Sequence, residues 1–230
     1  MVEFRDLGRM AYGECWELQQ SLFEELMERK REGRSHGGYI LMVEHPAVYT
    51  LGKSGKSENI LFSEEQLKAI GAEYYHIDRG GDVTFHGEGQ IVLYPILDLE
   101  QVGIGLKEYI WALEQAVIDT VAHWGVEAVR SAGAAGVWIE PQPLEGNGMV
   151  RRNKICAIGV KSSRYITMHG AAMNVKTDLK YFDYINPCGF TDRGVTSLEV
   201  EAHGEISMEE VKALLLNNLI KILNVKIYKK

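Results

Sequence analysis

The spacing of apolar residues switches between helix and strand periods along the chain, and this alternation limits the possible folds more than any other feature. Residues 14–30 and 106–124 keep apolar side chains three or four positions apart, which predicts two helices with one buried face. Short apolar runs at 39–44 and 91–97 predict buried strands. Because no repeat, low-complexity tract or linker interrupts the pattern, we expect one mixed α/β domain of the α+β class over residues 1–230.

Local signals place further elements along the chain. Ser-x-x-Gln at Ser63 and Ser-x-x-Glu at Ser207 predict helix starts, and the second helix should run to about Leu223. Gly71 and Gly125 are suited to end the helices that precede them. Further strands are predicted over 74–77, 126–130, 136–140, 155–161, 165–175 and 225–228, with a turn-rich loop at 141–151. Residues from about 200 to 230 could form a small C-terminal subdomain.

Net charge and hydropathy limit the kinds of partner and the cellular compartment that we expect for this protein. The chain has 25 lysines and arginines against 32 acidic residues, a formal charge of -7, which argues against nucleic acid as the main partner. Residues 1–13 are charged and lack the apolar core of a signal peptide. Apolar runs are far shorter than the roughly 20 residues that cross a bilayer. We therefore expect a cytoplasmic protein that makes no membrane contact.

The three cysteines fall into two groups. Cys15 and Cys156 lie within apolar patterns, so we expect both to be core thiols. Cys188 lies in the turn sequence NPCGFTD, where a glycine next to it leaves room for a substrate carbonyl. The absence of a C-x-x-C pattern argues against a disulfide scaffold or a zinc ribbon.

Signatures for nucleotides and metals are incomplete. A phosphate-binding loop ending at Gly55 would need glycine at position 50, which is Thr50. A dinucleotide fingerprint starting at Gly87 would need glycine at position 92, which is Val92. A metal site built from Cys156, His169 and Cys188 has no standard ligand spacing, so we expect no metal.

Two segments carry unusual concentrations of polar groups. Residues 79–90, RGGDVTFHGEGQ, combine four glycines with arginine, threonine and histidine, which suits a backbone that closely approaches a ligand. Residues 151–164, RRNKICAIGVKSSR, hold five positive charges and no acid, and should attract an acidic partner. Lys154 directly precedes an apolar run, so burial could disfavour its charged form.

Four motifs, in this order, resemble the lipoyl(octanoyl) transferases, which are octanoyl-[acyl carrier protein]:protein N-octanoyltransferases. The motifs are RGGDVTFHGEGQIVLYPILDL, KICAIGVK, MHGAAMNV and NPCGFTDRGVTSL, and EHPAVYTLG adds to the resemblance, which covers roughly residues 39–198. The resemblance implies the fold of the biotin and lipoate protein ligases, a mixed β-sheet flanked by helices.

The resemblance also implies an activity and its partners. An octanoyl group would pass from octanoyl-acyl carrier protein to one lysine of a lipoyl domain, the first step of endogenous protein lipoylation. The acceptors would be 2-oxoacid dehydrogenase subunits and the glycine cleavage H protein. Cys188 would carry the acyl group as a thioester, assisted by Lys154, and no cofactor would be needed. The alternatives are an ATP-dependent lipoate or biotin protein ligase, and a non-enzymatic module that docks carrier proteins.

The substrate-contacting positions implied by the resemblance fall in three segments. They are Arg79, Gly80, Gly81, Asp82, Val83, Thr84, Phe85, His86, Ala157, Ile158, Gly159, Gly170, Ala171 and Ala172. His86 would either polarise the thioester carbonyl or brace its loop. The small residues of the third segment would leave room for the acyl chain. The chain departs from the family pattern at Phe85, Glu88 and Cys156, where tyrosine, proline and a small residue are usual.

Overall fold

A computed structural model describes residues 1–34, 37–139, 142–143, 150–186 and 193–229, without the side chains of residues 142, 143, 150, 151 and 193. The strands are β1 Val2–Arg9, β2 Gly38–Glu44, β3 Val48–Leu51, β4 Glu73–His76, β5 Val83–His86, β6 Gln90–Leu97, β7 Ala128–Ser131, β8 Ala134–Ile139, β9 Gln142–Pro143, β10 Val150–Ser163, β11 Ile166–Asn174, β12 Arg193–Val195 and β13 Ile227–Lys229. The α-helices are α1 Tyr12–Arg31, α2 Glu64–Ala69, α3 Leu99–Val102, α4 Leu106–Val121, α5 Leu198–Ala202 and α6 Met208–Ile222. None of the described helices is both long enough and apolar enough to cross a bilayer.

Ten strands form a large mixed sheet. Its main path runs β13-β1-β2-β6-β11-β10-β8-β7, with β9 and β12 paired to β10. The pairs of β1 with β2 and with β13 are parallel, as is β10 with β12, and the remaining pairs are antiparallel. Because β13 pairs with β1, residues 227–229 belong to this sheet. All eight residues of β6 are buried, since helices cover both faces of the sheet.

The helices divide the core between the two faces of the large sheet. Helices α4 and α6 cover one face, where Val117 and Leu215 belong to the larger apolar cluster. Helix α1 covers the other face, where Leu22 and Leu26 pack against residues of β2 and β6. The predicted mixed sheet flanked by helices is therefore present.

A second sheet of three short strands, in the order β4-β3-β5, carries the glycine-rich segment. Strand β3 pairs antiparallel with β5, so that Thr50 lies opposite Thr84 and Tyr49 lies opposite Phe85. This register separates polar from apolar side chains. The apolar ones pack in a small core with Phe182 and Ile185.

Most of the predicted elements are present, with shifted ends. The capping box at Ser63 is formed, and the side chain of Ser207 accepts a hydrogen bond from the Glu210 N–H at the start of α6. Gly125 ends the 3₁₀ turn that follows α4, with a φ of 73°. Strands β1, β3 and β5 were not predicted, because each is short or lies in a charged or glycine-rich sequence. Most of the predicted loop at 141–151 lies outside the described residues.

Candidate active site

A cavity of about 950 Å³ lies between the large and small sheets. Its inner end is lined by side chains that are less than a tenth exposed, namely Tyr12, Arg79, His86, Tyr94 and His169. Its mouth is lined by exposed residues, namely Ser54, Lys56, Glu58 and Leu106. The cavity therefore combines an enclosed end with an end that a large partner can reach.

Thirteen of the predicted contact residues line this cavity: Arg79, Gly80, Gly81, Asp82, Val83, Thr84, His86, Ala157, Ile158, Gly159, Gly170, Ala171 and Ala172. Phe85 is not among the described lining residues. Side chains alternate along β5, and the ring of Phe85 stacks on Tyr181 with ring centroids 4.6 Å apart. Phe85 therefore packs in the small core, on the face of β5 opposite His86.

Strand pairing brings the three predicted segments together. Gly159 lies opposite Gly170 where β10 pairs with β11, and the Gly80 N–H donates to the Val160 carbonyl at 3.0 Å. A Cβ atom on Gly159 would lie 2.8 Å from the Gly80 carbonyl oxygen and 2.9 Å from Arg79 Cδ. Glycine is therefore required where the 79–81 loop crosses β10.

Lys154 lies on β10, and it also lines the cavity. Its Nζ is 4.6 Å from the ring centroid of Trp138 on the neighbouring strand β8, which suits a cation–π contact. A Cβ atom on Gly136 would lie 2.7 Å from the Cys156 carbonyl oxygen, so glycine is required on β8 beside this part of β10. The Lys154 carbonyl accepts a hydrogen bond from the Thr196 N–H at 3.0 Å.

Arg79 places a positive charge in the wall of the inner end. Its Nη2 donates to the Thr50 carbonyl at 2.7 Å and to Thr50 Oγ1 at 2.9 Å, while Nη1 donates to the Gly80 carbonyl at 3.1 Å. Because the guanidinium is planar, these bonds define its orientation.

A chain of hydrogen bonds continues from Thr50 across the cavity wall. His86 Nδ1 is 2.8 Å from Gln90 Oε1, and Gln90 Nε2 donates to Asn174 Oδ1 at 2.8 Å. Asn174 Nδ2 donates to the Thr196 carbonyl at 3.0 Å. These directions require the His86 proton on Nδ1, which leaves Nε2 as an acceptor 3.5 Å from Thr50 Oγ1. The chain therefore holds the His86 ring in place.

A second buried histidine supports the same wall. His45 Nδ1 donates to the Met10 carbonyl at 2.8 Å, and Nε2 is 2.9 Å from the Tyr94 hydroxyl, which therefore donates to it. Burial lowers the pKa of His45 to about 4 and that of His86 to about 3. Both rings are therefore neutral at physiological pH.

These two histidines make stability depend on pH. In the unfolded chain each histidine has a pKa of about 6.5. Below that pH the unfolded state therefore binds more protons than the folded state. We expect the free energy of unfolding to fall from about pH 7 to about pH 5, by at most about 1.4 kcal/mol per pH unit for each histidine. Urea unfolding at several pH values measures this slope.

The variant His45→Asn should make the slope shallower, because one titrating ring is removed. The exposed His123 is the matched control, and His123→Asn should leave the slope unchanged. An equal slope in wild type and His45→Asn would contradict the assignment of this pH dependence to the buried ring.

The structure tests the predictions for two of the three cysteines. Cys15 and Cys156 are 0% exposed, and burial raises the pKa of each thiol to about 12. The prediction that both are core thiols is confirmed. Cys188 lies outside the described residues.

The metal site considered from Cys156, His169 and Cys188 is not supported by the two of these residues that the structure describes. Cys156 packs in the core, whereas His169 lies opposite Val160, four residues further along β10, which is about 13 Å. Among the described residues, no group of three His, Cys, Asp or Glu side chains is placed to hold a metal ion.

The positive charges of residues 151–164 do not form one patch. Lys154 lines the cavity, and Lys161 Nζ pairs with Asp78 Oδ2 at 2.5 Å. Arg152 lies near the start of β10, and Arg164 lies in the turn that follows its end at Ser163, so the two are separated by most of the strand's length, roughly 35 Å. The side chain of Arg151 lies outside the described set. The predicted local excess of positive charge is therefore spread out and partly paired.

No role was predicted for Tyr12, Thr50 or Asn174, and Gln90 was predicted only as part of the segment 79–90. The sequence pattern that could have identified such residues is a polar residue within or beside an apolar strand. Thr50 lies within VYTL, and Gln90 opens QIVLYPIL. A buried polar side chain needs a partner, and here the partners are one another.

The chain is similar to known proteins over nearly its whole length. The chain matches the family described as lipoyl protein ligase A/B catalytic domain over residues 11–220. An octanoyltransferase of Bacteroides thetaiotaomicron is 52% identical over 221 residues, covering 96% of this chain and 95% of that protein. One from Bacteroides fragilis is 55% identical over 218 residues, covering 95% and 96%.

Solved structures support the same fold at low sequence identity. A lipoate-protein ligase A bound with ATP is 15% identical with a TM-score of 0.68, covering all of this chain and 87% of that one. Biotin protein ligase from Aquifex aeolicus, in complex with biotin and ATP, is 13% identical with a TM-score of 0.53, covering 96% and 70%. The predicted ligase-like fold is confirmed, and the chain belongs to the lipoyl protein ligase A/B catalytic domain family.

Proposed function

We propose that this protein is an acyltransferase that moves an octanoyl group from octanoyl-acyl carrier protein to a lysine of a lipoyl domain. The acceptors are lipoyl domains of 2-oxoacid dehydrogenase subunits and the glycine cleavage H protein. Cys188 carries the acyl group as a thioester, and Lys154 assists its formation and its transfer.

The observation that carries this proposal is the convergence of Lys154 and all three predicted contact segments on one cavity. Two further points support it. Relatives that are 52% and 55% identical over nearly the whole chain are named octanoyltransferases. Cys15 and Cys156 are buried thiols with raised pKa values, so neither suits a nucleophile, and Cys188 is the remaining cysteine of the sequence.

The first step exchanges one thioester for another. The Cys188 thiolate attacks the carbonyl carbon of the donor thioester, and the bond from that carbon to the donor sulfur breaks. The donor leaves as a thiolate and takes the proton of the Lys154 ammonium, so that Lys154 is neutral in the acyl-enzyme. The ammonium of Lys154 favours the attacking thiolate over the thiol. This exchange is nearly thermoneutral, because the bonds formed and broken are of the same kind.

The second step forms an amide. The amine of the acceptor lysine attacks the acyl carbon, the bond to Cys188 Sγ breaks, and the amine loses one proton. Lys154 in its neutral form accepts that proton and returns it to the sulfur. Conversion of a thioester to an amide is downhill, so the reaction needs no nucleotide.

Intact-protein mass spectrometry tests the proposal. Incubation with octanoyl-acyl carrier protein in the absence of ATP should add the mass of one octanoyl group. Peptide mapping should locate it on Cys188, with Cys15 and Cys156 as unmodified internal controls. Addition of an apo-lipoyl domain should then move the group to the acceptor lysine.

The same assay distinguishes the ATP-dependent alternative. Transfer that requires free octanoate with ATP, and that leaves no thioester on the protein, would overturn the proposal in favour of a ligase. Binding of the carrier protein with no acyl movement under either condition would instead support a docking module.

A further inference from the structure

Tyr12, the first residue of α1, carries a hydroxyl group at the wall of the cavity. Its ring stacks on the ring of His86, with centroids 5.9 Å apart and planes 9° from parallel, and it contacts the rings of His45 and Tyr75, each with centroids 5.2 Å away. The side chain is 2% exposed. Within the described part of the chain, its hydroxyl makes no hydrogen bond. The fold therefore fixes the ring and leaves its polar end uncommitted.

This hydroxyl is an exception among the polar groups of the cavity wall. The other buried hydroxyl, imidazole and amide side chains of the described lining each have a hydrogen-bond partner, and they are His86, Gln90, Tyr94, His169 and Asn174. Buried polar groups are normally paired, because an unpaired donor away from water costs free energy. A donor left unpaired in such a wall therefore indicates that a bound ligand supplies the missing acceptor.

An unpartnered atom can bind a ligand only if the ligand can reach it. His169 has a left-handed backbone, with a φ of +62°, and its Nε2 donates to the Asp78 carboxylate at 3.0 Å. Its Nδ1 has no partner among the described residues, but this atom is fully enclosed, so nothing in the cavity reaches it. The Tyr12 hydroxyl is not among the enclosed unpartnered atoms. Its accessible surface therefore opens into the cavity that the side chain lines.

The Tyr12 hydroxyl is available to a ligand as a hydrogen-bond donor. Burial raises the pKa of Tyr12 well above its usual value, and the nearby Arg79 guanidinium offsets part of this rise. The phenol therefore stays protonated at physiological pH. The positive charge of Arg79 favours an electron-rich atom beside the hydroxyl, so the electrostatics select an acceptor oxygen.

Strand pairing places this part of the wall next to the strand that carries Lys154. Strands β6, β11 and β10 pair in turn, with Gln90 opposite Asn174 and, one residue earlier on β11, Met173 opposite Cys156. Neighbouring strands are about 4.8 Å apart, so Gln90 lies about 10 Å from Cys156, two residues beyond Lys154. The hydrogen-bonded wall on which the phenol ring stacks therefore adjoins the lysine that the proposed reaction uses.

The acyl thioester supplies an acceptor oxygen of the required kind. An octanoyl group is hydrocarbon except for its carbonyl, whose oxygen is its only strong hydrogen-bond acceptor. In both steps of the proposed reaction, this oxygen gains negative charge when the nucleophile adds to the carbonyl carbon. A donor that is held in place beforehand then bonds the oxygen more strongly in the transition state than in the ground state, which accelerates acyl transfer.

Resting on the proposed function, we propose that Tyr12 is a catalytic residue whose hydroxyl donates a hydrogen bond to the carbonyl oxygen of the acyl thioester. When the thiolate or the acceptor amine adds to the carbonyl carbon, the π electrons of the carbonyl move onto this oxygen, and the hydrogen bond stabilises the negative charge. When the electrons return, the carbonyl re-forms and the carbon–sulfur bond breaks. Tyr12 keeps its proton throughout, so the proton transfers remain those assigned to Lys154.

Tyr12→Phe tests this role, because it keeps the stacked ring and removes one oxygen atom. Single-turnover formation of the acyl-enzyme from octanoyl-acyl carrier protein, followed by intact mass at timed intervals, should slow by about 10²-fold at saturating donor. The KM for the donor should rise by no more than about threefold, since the hydrogen bond matters most in the transition state. The melting temperature should not fall, because the hydroxyl has no partner within the described chain to lose.

Tyr109→Phe is the matched control. Tyr109 is 0% exposed, its hydroxyl donates to the Pro95 carbonyl at 3.3 Å, and it is not among the described residues that line the cavity. This variant should therefore show the opposite pattern, with a lower melting temperature and a normal rate of acyl transfer. The contrast separates a hydroxyl that serves the reaction from one that serves the fold.

Isotope-edited infrared spectroscopy locates the hydrogen bond on the substrate. An acyl-enzyme formed with octanoyl labelled with ¹³C at its carbonyl carbon, in the absence of acceptor, gives one resolved carbonyl band. Because a hydrogen bond to the oxygen lowers the stretching frequency, the band should move to higher frequency in Tyr12→Phe and should stay in place in Tyr109→Phe.

Failure of this inference is distinguishable from failure of the proposed function. Absence of an acyl-enzyme in wild type would overturn the proposed function. Acyl-enzyme formation by Tyr12→Phe at the wild-type rate, or an unshifted carbonyl band, would overturn the role of Tyr12 alone. A raised donor KM with an unchanged rate at saturation would also overturn it, because the hydroxyl would then contact the donor away from the reacting carbonyl.

Discussion

Replacement of Cys188 or Lys154 by alanine is expected to reduce octanoyl transfer by about 10³-fold or more, since nucleophilic and proton-transfer contributions would both be lost. Because the two residues act in the same steps, the double variant should be little worse than either single variant. Steady-state transfer to an apo-lipoyl domain measures all three losses. Loss of the contact with the Trp138 ring should lower the stability of Lys154→Ala by only about 1 kcal/mol, so thermal unfolding separates catalysis from folding.

Lys154→Arg separates the two roles of the lysine. Arginine keeps the positive charge that favours the thiolate, but it cannot give up its proton at any accessible pH. We therefore expect this variant to form the acyl-enzyme and to fail in passing the acyl group to the acceptor. Lys221→Ala, an exposed lysine in the last turn of α6, is the control and should transfer normally. Full transfer by Lys154→Arg would contradict a proton-accepting role.

Gly170→Ala is expected to lower the free energy of unfolding by about 3 kcal/mol or more, because β11 and β6 leave no room for a methyl group. A Cβ atom there would overlap the Leu93 carbonyl oxygen and would lie 2.9 Å from Pro95 Cδ. The overlapping atoms are backbone or held in a proline ring, so they cannot move aside as a flexible side chain would. Urea unfolding gives the difference from wild type.

Gly103→Ala is the matched control for this substitution. Gly103 has a left-handed backbone with φ of +81°, but a Cβ atom there would meet nothing within 4 Å. The same chemical change should therefore cost only about 1 kcal/mol, the usual penalty for a side chain in that conformation. Equal destabilisation by the two substitutions would show that space at Gly170 is not the decisive factor.

Strong local signals allowed much of the fold to be predicted. The long helices α1 and α4 were predicted because their apolar stripes repeat over several turns, and the cap at Ser63 was predicted because it depends on four consecutive residues. Strands β3 and β5 were missed because each has only four residues and borders a glycine-rich sequence. Short strands form when a partner supplies hydrogen bonds, and the partner is distant in sequence.

The candidate site could likewise be predicted only in part from the sequence. Motif order indicated which segments would meet, and the cavity contains all three of them with Lys154. The side-chain direction of Phe85 depended on the register of β5 against β3, which the motif does not contain. The tautomer of His86 depended on Gln90 and Asn174, which share its wall only after β6 and β11 pair.

The sequence alone determined the long helices, the mixed architecture, the two core cysteines and the segments that form the cavity, because these depend on local periodicity, composition and motif order. Tertiary structure decided the wide separation of the positive charges along β10, the hydrogen-bond chain through His86, and the left-handed conformation of His169 beside Asp78. These features depend on strand register and on desolvation, and both arise only when residues far apart in the chain come into contact.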